Sequence, residues 1–304
     1  MTQIVERRGF LKSAGAAVAG SLSLDVRAGA QSAAKESKSA SPRFFSGCCG
    51  YSYRKLLVDG SMSMEEFILK AVELEIDGVD ITAYYLDSTE APYLLGLRRV
   101  AFRNGVLLSG AAINSNMCLN DPQERAWEIK KVKKYIDVTE TLGASHLRVF
   151  GGDVPLGAPD PQGVQYVIET MKPLCEYAGE KGVTLGIENH GGITLKAYNI
   201  VQIMKGLGNT RYAGINVDVG NFREDPYEQI EMCMPYATHA HIKPTYGHYP
   251  RKTLDLDRVF QIFAKAGYKG FMSVEYETDE DEPLTEVRKQ TDVVKALCKK
   301  YSTV

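Results

Sequence analysis

Short apolar runs alternate with longer segments of helical periodicity along most of this 304-residue chain, and this alternation restricts the fold more than any other feature of the sequence. Eight such runs occur, at roughly one per thirty residues, and each has a length typical of a buried strand. A strand followed by a helix, repeated many times, indicates a parallel sheet covered by helices. The runs occupy residues 44–50, 78–82, 106–113, 146–150, 183–188, 213–217, 238–242 and 270–275.

The segments between the runs have the pattern of amphipathic helices, because their apolar residues recur at intervals of three and four. Eight strand-and-helix units fill the chain from Arg43 onward, and a (β/α)8 barrel usually takes about 250 residues. We therefore predict a single α/β domain over residues 43–304, a (β/α)8 TIM barrel. Two of the helical patterns are Met64, Phe67, Ile68 and Ala71, and Leu256, Val259, Phe260 and Phe263.

Three absences from the sequence exclude other classes of protein. Residues 47–51, GCCGY, lack the form of the glycine-rich phosphate turn that follows the first strand of a doubly wound sheet. The 36 basic and 38 acidic residues give a net charge of −2, so the chain has no broad attraction for nucleic acid. None of the six cysteines lies in a C-x-x-C pair, which favours buried thiols over disulfides or a zinc ribbon.

The N-terminus has the pattern of a twin-arginine export signal. The sequence R-R-G-F-L-K at residues 7–12 precedes a weakly apolar stretch at 13–24 and an A-G-A cleavage site at 28–30. The stretch is shorter than the roughly 20 apolar residues that span a bilayer, so we expect no stable membrane anchor after cleavage. We predict a signal peptide at 1–30, a flexible linker at 31–42 and a periplasmic protein, with a chance arginine pair as the alternative.

Four consecutive runs end in polar residues, at the face where barrels of this type place their active sites. Glu188, Asp218, His241 and Glu275 follow the fifth to eighth runs in order. Three buried carboxylates beside one imidazole would repel one another unless a cation neutralised them. Oxygen and nitrogen ligands without a thiolate favour Mn²⁺, Mg²⁺ or Co²⁺, with Zn²⁺ as a further candidate.

A purely structural interpretation of the same residues stays open at this point. Glu188 would pair with Arg148, Glu275 would pair with Lys243, and His241 would be a core histidine with satisfied hydrogen bonds. His239 lies on the same face of its strand as His241 because side chains alternate along a strand. Either histidine is therefore a candidate ligand, and the position of His241 nearer the strand end favours it.

The chain resembles the sugar phosphate isomerase/epimerase family of xylose isomerase-like TIM barrels over nearly all of residues 44–300. The motifs are G-I-E-N-H-G-G at 186–192, N-V-D-V-G-N-F at 216–222, H-A-H-I-K at 239–243 and S-V-E-Y-E at 273–277, with weaker matches at 73–80 and 142–149. The resemblance implies that the four positions above bind one divalent ion, with Mn²⁺ as the first choice. The related apurinic endonucleases use three metals, and Asn221 stands where they have a histidine, which argues against DNA repair.

The resemblance implies a metal-dependent sugar isomerase or epimerase that removes a proton next to a carbonyl of a free sugar or sugar derivative. Glu188 and Glu275 would act as base and acid. His190 and Lys243 are further catalytic candidates, for proton shuttling or for stabilising charge on oxygen. Candidate substrate-binding residues, all polar or aromatic and near strand ends, are Arg148, Asn114, Asn221 and Tyr51.

Two other functions remain as alternatives. Export favours a free sugar or a glycoside over a sugar phosphate, so the same site is a candidate 3-keto-glycoside lyase or hydratase that acts by β-elimination with His190 as base. The barrel is alternatively a non-catalytic sugar-binding module. We expect a small carbohydrate as the partner, no nucleic acid, and leave a homo-oligomer open.

Overall fold

The computed structural model describes residues 41–208, 211–278 and 282–302. Eight parallel strands close into a barrel in which the first strand pairs with both the second and the last. Their bounds agree with the eight predicted runs to within one residue at each end. The strands are β1 (Arg43–Cys49), β2 (Gly78–Thr82), β3 (Leu107–Ala112), β4 (His146–Phe150), β5 (Thr184–Glu188), β6 (Ala213–Asp218), β7 (Ala237–Ile242) and β10 (Lys269–Val274).

Helices follow the strands and form the outer layer, so the predicted single-domain (β/α)8 TIM barrel is confirmed. A reciprocal capping box between Ser63 and Glu66 fixes the start of the second helix. The sequence patterns did not predict the short ribbon of β8 (Thr245–Tyr246) and β9 (Lys252–Thr253). The helices are α1 (Arg54–Val58), α2 (Met64–Leu74), α3 (Ala91–Arg103), α4 (Pro122–Leu142), α5 (Asp160–Glu180), α6 (Ala197–Leu207), α7 (Pro226–Cys233), α8 (Leu256–Lys265) and α9 (Pro283–Tyr301).

The hydrophobic core lies between the barrel and its helices. Ile187 and Val217 on the strands are fully buried in the same cluster as Ile200 and Met204 of α6. Because side chains alternate along a strand, the neighbours of these apolar residues point into the barrel instead. Because of this alternation, the side chains of Glu188 and Asp218 point into the barrel at the ends of their strands. All six cysteines are free and buried, as predicted.

Predictions for the N-terminal region lie mostly outside the described residues. The expected signal peptide at 1–30 and all but the last two residues of the expected linker at 31–42 are not described, so they stay predictions. Within the described ranges, no helix is both long enough and apolar enough to cross a membrane.

One close approach inside the barrel requires a glycine. A Cβ added to Gly186 on β5 would lie 2.1 Å from Nε2 of the buried His146 on β4. In contrast, a Cβ added to Gly96 on α3 would meet no heavy atom within 4 Å. We therefore expect Gly186→Ala to lower the free energy of unfolding by about 1–3 kcal/mol.

The matched substitution Gly96→Ala should raise the free energy of unfolding by up to about 1 kcal/mol, because alanine favours a helix. Urea unfolding followed by circular dichroism measures both changes. Equal stability of Gly186→Ala and the wild type would show that the barrel interior accommodates the extra methyl group.

Candidate functional site

Four side chains from successive barrel strands meet at one end of the barrel. Glu188, Asp218, His241 and Glu275 each contribute one nitrogen or oxygen atom to a group in which all four atoms lie within 4.8 Å of one another. All four residues are buried. Two oxygens on opposite sides of Mg²⁺ lie about 4.2 Å apart, so this spacing suits a small divalent cation.

The imidazole of His241 lies between the carboxylate of Asp80 on one side and those of Glu188 and Glu275 on the other. Its Nε2 lies 3.2 Å from Asp80 Oδ2 of β2, and its Nδ1 lies 3.4 Å from Glu188 Oε2 and 3.5 Å from Glu275 Oε2. Nδ1 makes no hydrogen bond with the described residues. A proton on Nε2, donated to Asp80, leaves a lone pair on Nδ1 facing the two glutamates, which is the arrangement of a metal-binding histidine with a supporting carboxylate.

The second candidate histidine occupies a deeper layer of the barrel. The ring of His239 stacks on that of His146 with centroids 4.9 Å apart, and its Nε2 lies 3.4 Å from the hydroxyl oxygen of Ser109. The structure therefore places His241, and not His239, among the carboxylates.

Lys243 lies within the acidic cluster and is almost completely buried. Its Nζ lies 2.7 Å from Asp218 Oδ2, 2.9 Å from Glu275 Oε2 and 2.7 Å from Glu277 Oε1. Burial opposes its charge, but these carboxylates raise the pKa of Lys243 well above its usual value. The ammonium group is therefore a fixed positive charge that holds the carboxyl ends of β6 and β10 together.

Arg148 provides a second fixed positive charge at the site. Its Nε lies 3.2 Å from Glu188 Oε2, and its guanidinium carbon lies 3.9 Å from the centroid of the Phe150 ring. Burial opposes ionisation of Glu188, but Arg148 and His241 outweigh it and lower the pKa of this carboxyl. Both ion pairs of the structural interpretation, Arg148 with Glu188 and Lys243 with Glu275, are thus present.

These ion pairs leave an excess of negative charge at the barrel end. The carboxylates of Asp80, Glu188, Asp218, Glu275 and Glu277 face three cations, Arg148, Lys243 and Arg251. Two negative charges remain when His241 is neutral, as a metal ligand must be, and one divalent cation would balance them. Without a cation, burial opposes the charge on His241, but Glu275 and Asp80 raise its pKa well above the usual value. In the same state, burial and the neighbouring Glu275 and Glu188 raise the pKa of Asp218 to about 8 despite Lys243. The donor set, the charge and the unpartnered Nδ1 all fit a divalent ion.

Asparagine side chains fix the geometry of the carboxylates. Asn189 donates to the Asp218 carbonyl oxygen at 2.7 Å and accepts from the Asp218 amide at 2.8 Å, which ties β5 to β6. Asn216 donates to Glu188 Oε2 at 3.1 Å. Asn221, a predicted substrate-binding residue, lies 3.4 Å from both Glu188 Oε1 and Lys243 Nζ. It therefore supports the acidic cluster.

A cavity of about 420 Å³ opens above the cluster. Its wall contains both glutamates proposed as base and acid, Glu188 and Glu275. Lys243 and Asn221 do not line it. The other lining residues include four that the sequence predicted, Tyr51, Asn114, Arg148 and His190, and three that it did not place at the site, Tyr84, Phe150 and Glu277.

His190 belongs to a stack of three flat groups at the cavity edge. Its ring lies on Phe150 with centroids 4.0 Å apart, and Arg148 covers the same phenyl ring. The side chain of His190 is exposed and forms no hydrogen bond with any described residue. It is therefore free to contact a ligand, unlike His241.

The sequence reasoning missed two further residues of the site. Asp80 was not assigned a role, although a carboxylate inside the otherwise apolar run at 78–82 was a signal for one. Cys49 ends β1, and its Sγ lies 3.5 Å from Glu275 Oε1. Burial raises the pKa of Cys49 well above its usual value, so the thiol keeps its proton and donates weakly to Glu275.

The family model described as the xylose isomerase-like TIM barrel matches residues 68–297. The chain belongs to the xylose isomerase-like TIM barrel family. No curated protein shows significant sequence similarity to it.

Solved structures with the same fold as this xylose isomerase-like barrel include sugar epimerases. L-ribulose 3-epimerase matches with a TM-score of 0.67 at 14% identity, over 86% of this chain and 95% of that one. D-psicose 3-epimerase, solved in the presence of D-fructose, matches with 0.65 at 17% identity, over 81% and 89%. The 3-keto-D-glucoside 4-epimerase from E. coli matches with 0.65 at 13% identity, over 84% and 100%.

Burial of the His146 imidazole, below the site, predicts that the folding stability of this xylose isomerase-like barrel falls in acid. Burial, and then the neighbouring His239, lower the pKa of His146 well below its usual value. Near pH 6.5 the unfolded chain takes up a proton there that the folded chain does not. Stability present above pH 6.5 is therefore lost as the pH falls below it, by about 1 kcal/mol per unit for this group.

Urea unfolding of the wild type and of His146→Gln at pH 7.5 and 5.5 tests this dependence. The wild type should lose more stability than the variant over that interval. An identical loss in both proteins would mean that other groups cause the acid sensitivity.

Proposed function

We propose that this protein is a metal-dependent sugar isomerase or epimerase that removes a proton next to a carbonyl group. One observation carries the proposal. Glu188 and Glu275, from separate strands, each place an oxygen within 3.5 Å of His241 Nδ1, and both line one cavity. Two carboxylates thus border the same space, as exchange of a proton between two positions of a sugar requires. The family and its epimerase neighbours support this chemistry.

Glu188, Asp218, His241 and Glu275 would hold one divalent cation, for which Mn²⁺ is our first choice. When bound, the cation supplies Lewis-acid polarisation of the substrate oxygens, which makes the neighbouring C–H group more acidic.

The two glutamates perform the proton transfers. One carboxylate takes the proton from the carbon next to the carbonyl, the electron pair of that C–H bond forms a C=C bond to the carbonyl carbon, and the carbonyl π pair moves to the oxygen to give an enediolate. The other relays a proton from water to the opposite face of the same carbon or to the former carbonyl carbon, and in the second case the neighbouring hydroxyl proton moves to the former carbonyl oxygen. The first outcome is epimerisation and the second is isomerisation. Arg148 orients Glu188, and Lys243 orients Glu275.

Residues that line the cavity fit an uncharged substrate. Among the described residues of the wall, Arg148 is the one lysine or arginine, and it is already paired with Glu188. A phosphate group would therefore meet Glu188, Glu275 and Glu277 without a free cation. His190, Asn114 and Tyr51 present polar atoms that suit sugar hydroxyls. This supports a free sugar or glycoside, in agreement with the proposed export.

Metal binding is the first prediction of this function. The purified protein should bind close to one equivalent of Mn²⁺, and His241→Ala and Asp218→Asn should abolish binding. Asp80→Asn should weaken it by about 10- to 100-fold, because Asp80 orients His241. Isothermal titration calorimetry and elemental analysis provide the measurements. Asp77→Asn is the matched control, since its carboxylate bonds Ser46 instead.

Absence of metal binding in the wild type under all loading conditions would leave the four residues as an ion-pair network. The metal-dependent function would then be abandoned.

Proton exchange is the second prediction. In D₂O with Mn²⁺, the protein should incorporate deuterium next to the carbonyl of a ketose, for which D-fructose, L-ribulose and methyl 3-keto-glucoside are suitable trials. Glu188→Gln and Glu275→Gln, compared at saturating Mn²⁺, should lower the rate by about 10²- to 10⁴-fold. The exposed Glu176 provides the control variant Glu176→Gln. NMR of the recovered sugar measures exchange and identifies the product.

The products separate this function from the two alternatives. An epimer or isomer supports the proposal, whereas release of the aglycone from a 3-keto-glycoside shows β-elimination. Sugar binding without deuterium incorporation shows a binding module.

A further inference from the structure

A second cavity adjoins the one above the carboxylates. It has a volume of about 430 Å³ and shares Asn114, Phe150 and His190 with the first. Each cavity alone is within the usual range of small-molecule sites, about 300–1,000 Å³. The stacked rings of Phe150 and His190 therefore form a boundary between two neighbouring compartments.

Backbone contacts hold the walls of the second cavity in place. The Ser115 hydroxyl accepts a hydrogen bond from the Phe150 amide at 2.7 Å, and Ile193 donates to the Gly152 carbonyl oxygen at 3.0 Å. Gly152 has a φ of +86°, and a Cβ there would lie 1.8 Å from Asn116 Oδ1. This loop can approach Asn116 so closely only because residue 152 is glycine. The compartment is thus already formed without a ligand.

Several polar groups of this cavity are free to meet a ligand. The side chains of Asn114 and Asp153 are exposed and form no hydrogen bond with other described residues. Asn116 uses Oδ1 to accept from the Cys118 amide, which leaves its amide NH₂ available. These are neutral donors and acceptors plus one carboxylate. No lysine or arginine lines the cavity in the described chain, so it does not suit a phosphate or carboxylate ligand.

We propose that the second cavity binds a second, uncharged sugar unit, linked through a glycosidic oxygen to the unit that lies over Glu188 and Glu275. The substrate class is then a keto-disaccharide or related glycoside, and the linking oxygen crosses the boundary near His190. Thr194 connects the compartments further, because its hydroxyl donates to the Glu188 carbonyl oxygen at 2.8 Å and accepts from the His190 amide at 3.4 Å. This inference rests on the proposed function for the identity of the reacting unit.

Pairs of one-unit and two-unit ketoses test the proposal in the Mn²⁺-loaded, full-length protein. D-fructose is paired with maltulose, and 3-keto-glucose with 3-keto-maltose. For at least one pair, calorimetry should show that the two-unit sugar binds at least tenfold more tightly. Equal affinities within both pairs would overturn the proposal.

Filling the second cavity should remove this preference. Asp153→Trp places an indole in the second cavity. It should lower the ratio of the affinity for the two-unit sugar to the affinity for the one-unit sugar at least tenfold. Asp153→Ala, a milder change at an exposed position, should lower it severalfold. The control Glu180→Trp, at the end of α5, should keep the wild-type ratio. Loss of affinity for both sugars in the same proportion in the Asp153 variants would contradict the proposal.

The deuterium exchange assay distinguishes failure of this inference from failure of the proposed function. A two-unit preference that Asp153→Trp removes, without exchange in any sugar, would uphold the second sugar subsite and overturn the isomerase function. Exchange in single sugars without any two-unit preference would uphold the isomerase function and overturn the second sugar subsite.

Discussion

The ammonium group of Lys243 is the contact on which the arrangement of the barrel end depends. Three carboxylates from β6 and from the segment after β10 approach it within 2.9 Å, in a place from which water is almost excluded. Without that charge, Asp218, Glu275 and Glu277 would repel one another at short range and at low local dielectric. A buried cation of this kind does not increase stability much over a hydrophobic residue. Its effect is to define where the acidic side chains lie.

The acidic cluster also depends on a contact that crosses the barrel. Asp80 on β2 reaches His241 on β7, and these residues are 161 positions apart in the chain. Such a contact can form only when the barrel is closed, since β2 and β7 are not neighbours in the sheet. The orientation of His241 is therefore a consequence of the complete fold. A local rearrangement of either strand would change the direction of its Nδ1 lone pair.

Much of this structure could be predicted because strand ends and periodicity are local properties of the sequence. The eight strands were located to within one residue, and the spacing of one unit between Glu188, Asp218, His241 and Glu275 brought them to one barrel end. The role of Asp80 could not be predicted, because its partner lies on a distant strand. Likewise, the burial of Lys243 depends on carboxylates from two other strands. The contacts of Asn221 with Glu188 and Lys243 depend on the conformation of the loop after β6.

The order of the strands separates the candidate metal ligands from most of the cavity wall. All four candidate metal ligands come from β5, β6, β7 and the end of β10, whereas the aromatic and amide wall of the cavity comes largely from the ends of β1 to β4. Tyr51, Tyr84, Asn114 and Phe150 form that wall. Substitutions at these wall positions can therefore alter the shape of the cavity while the four candidate ligands stay in place, whereas Asp80 and Arg148 of the same half contact those ligands directly. Sequence variation that reshapes the cavity should accordingly concentrate at the strand ends of the N-terminal half, whereas the four candidate ligand positions of the C-terminal half should vary least.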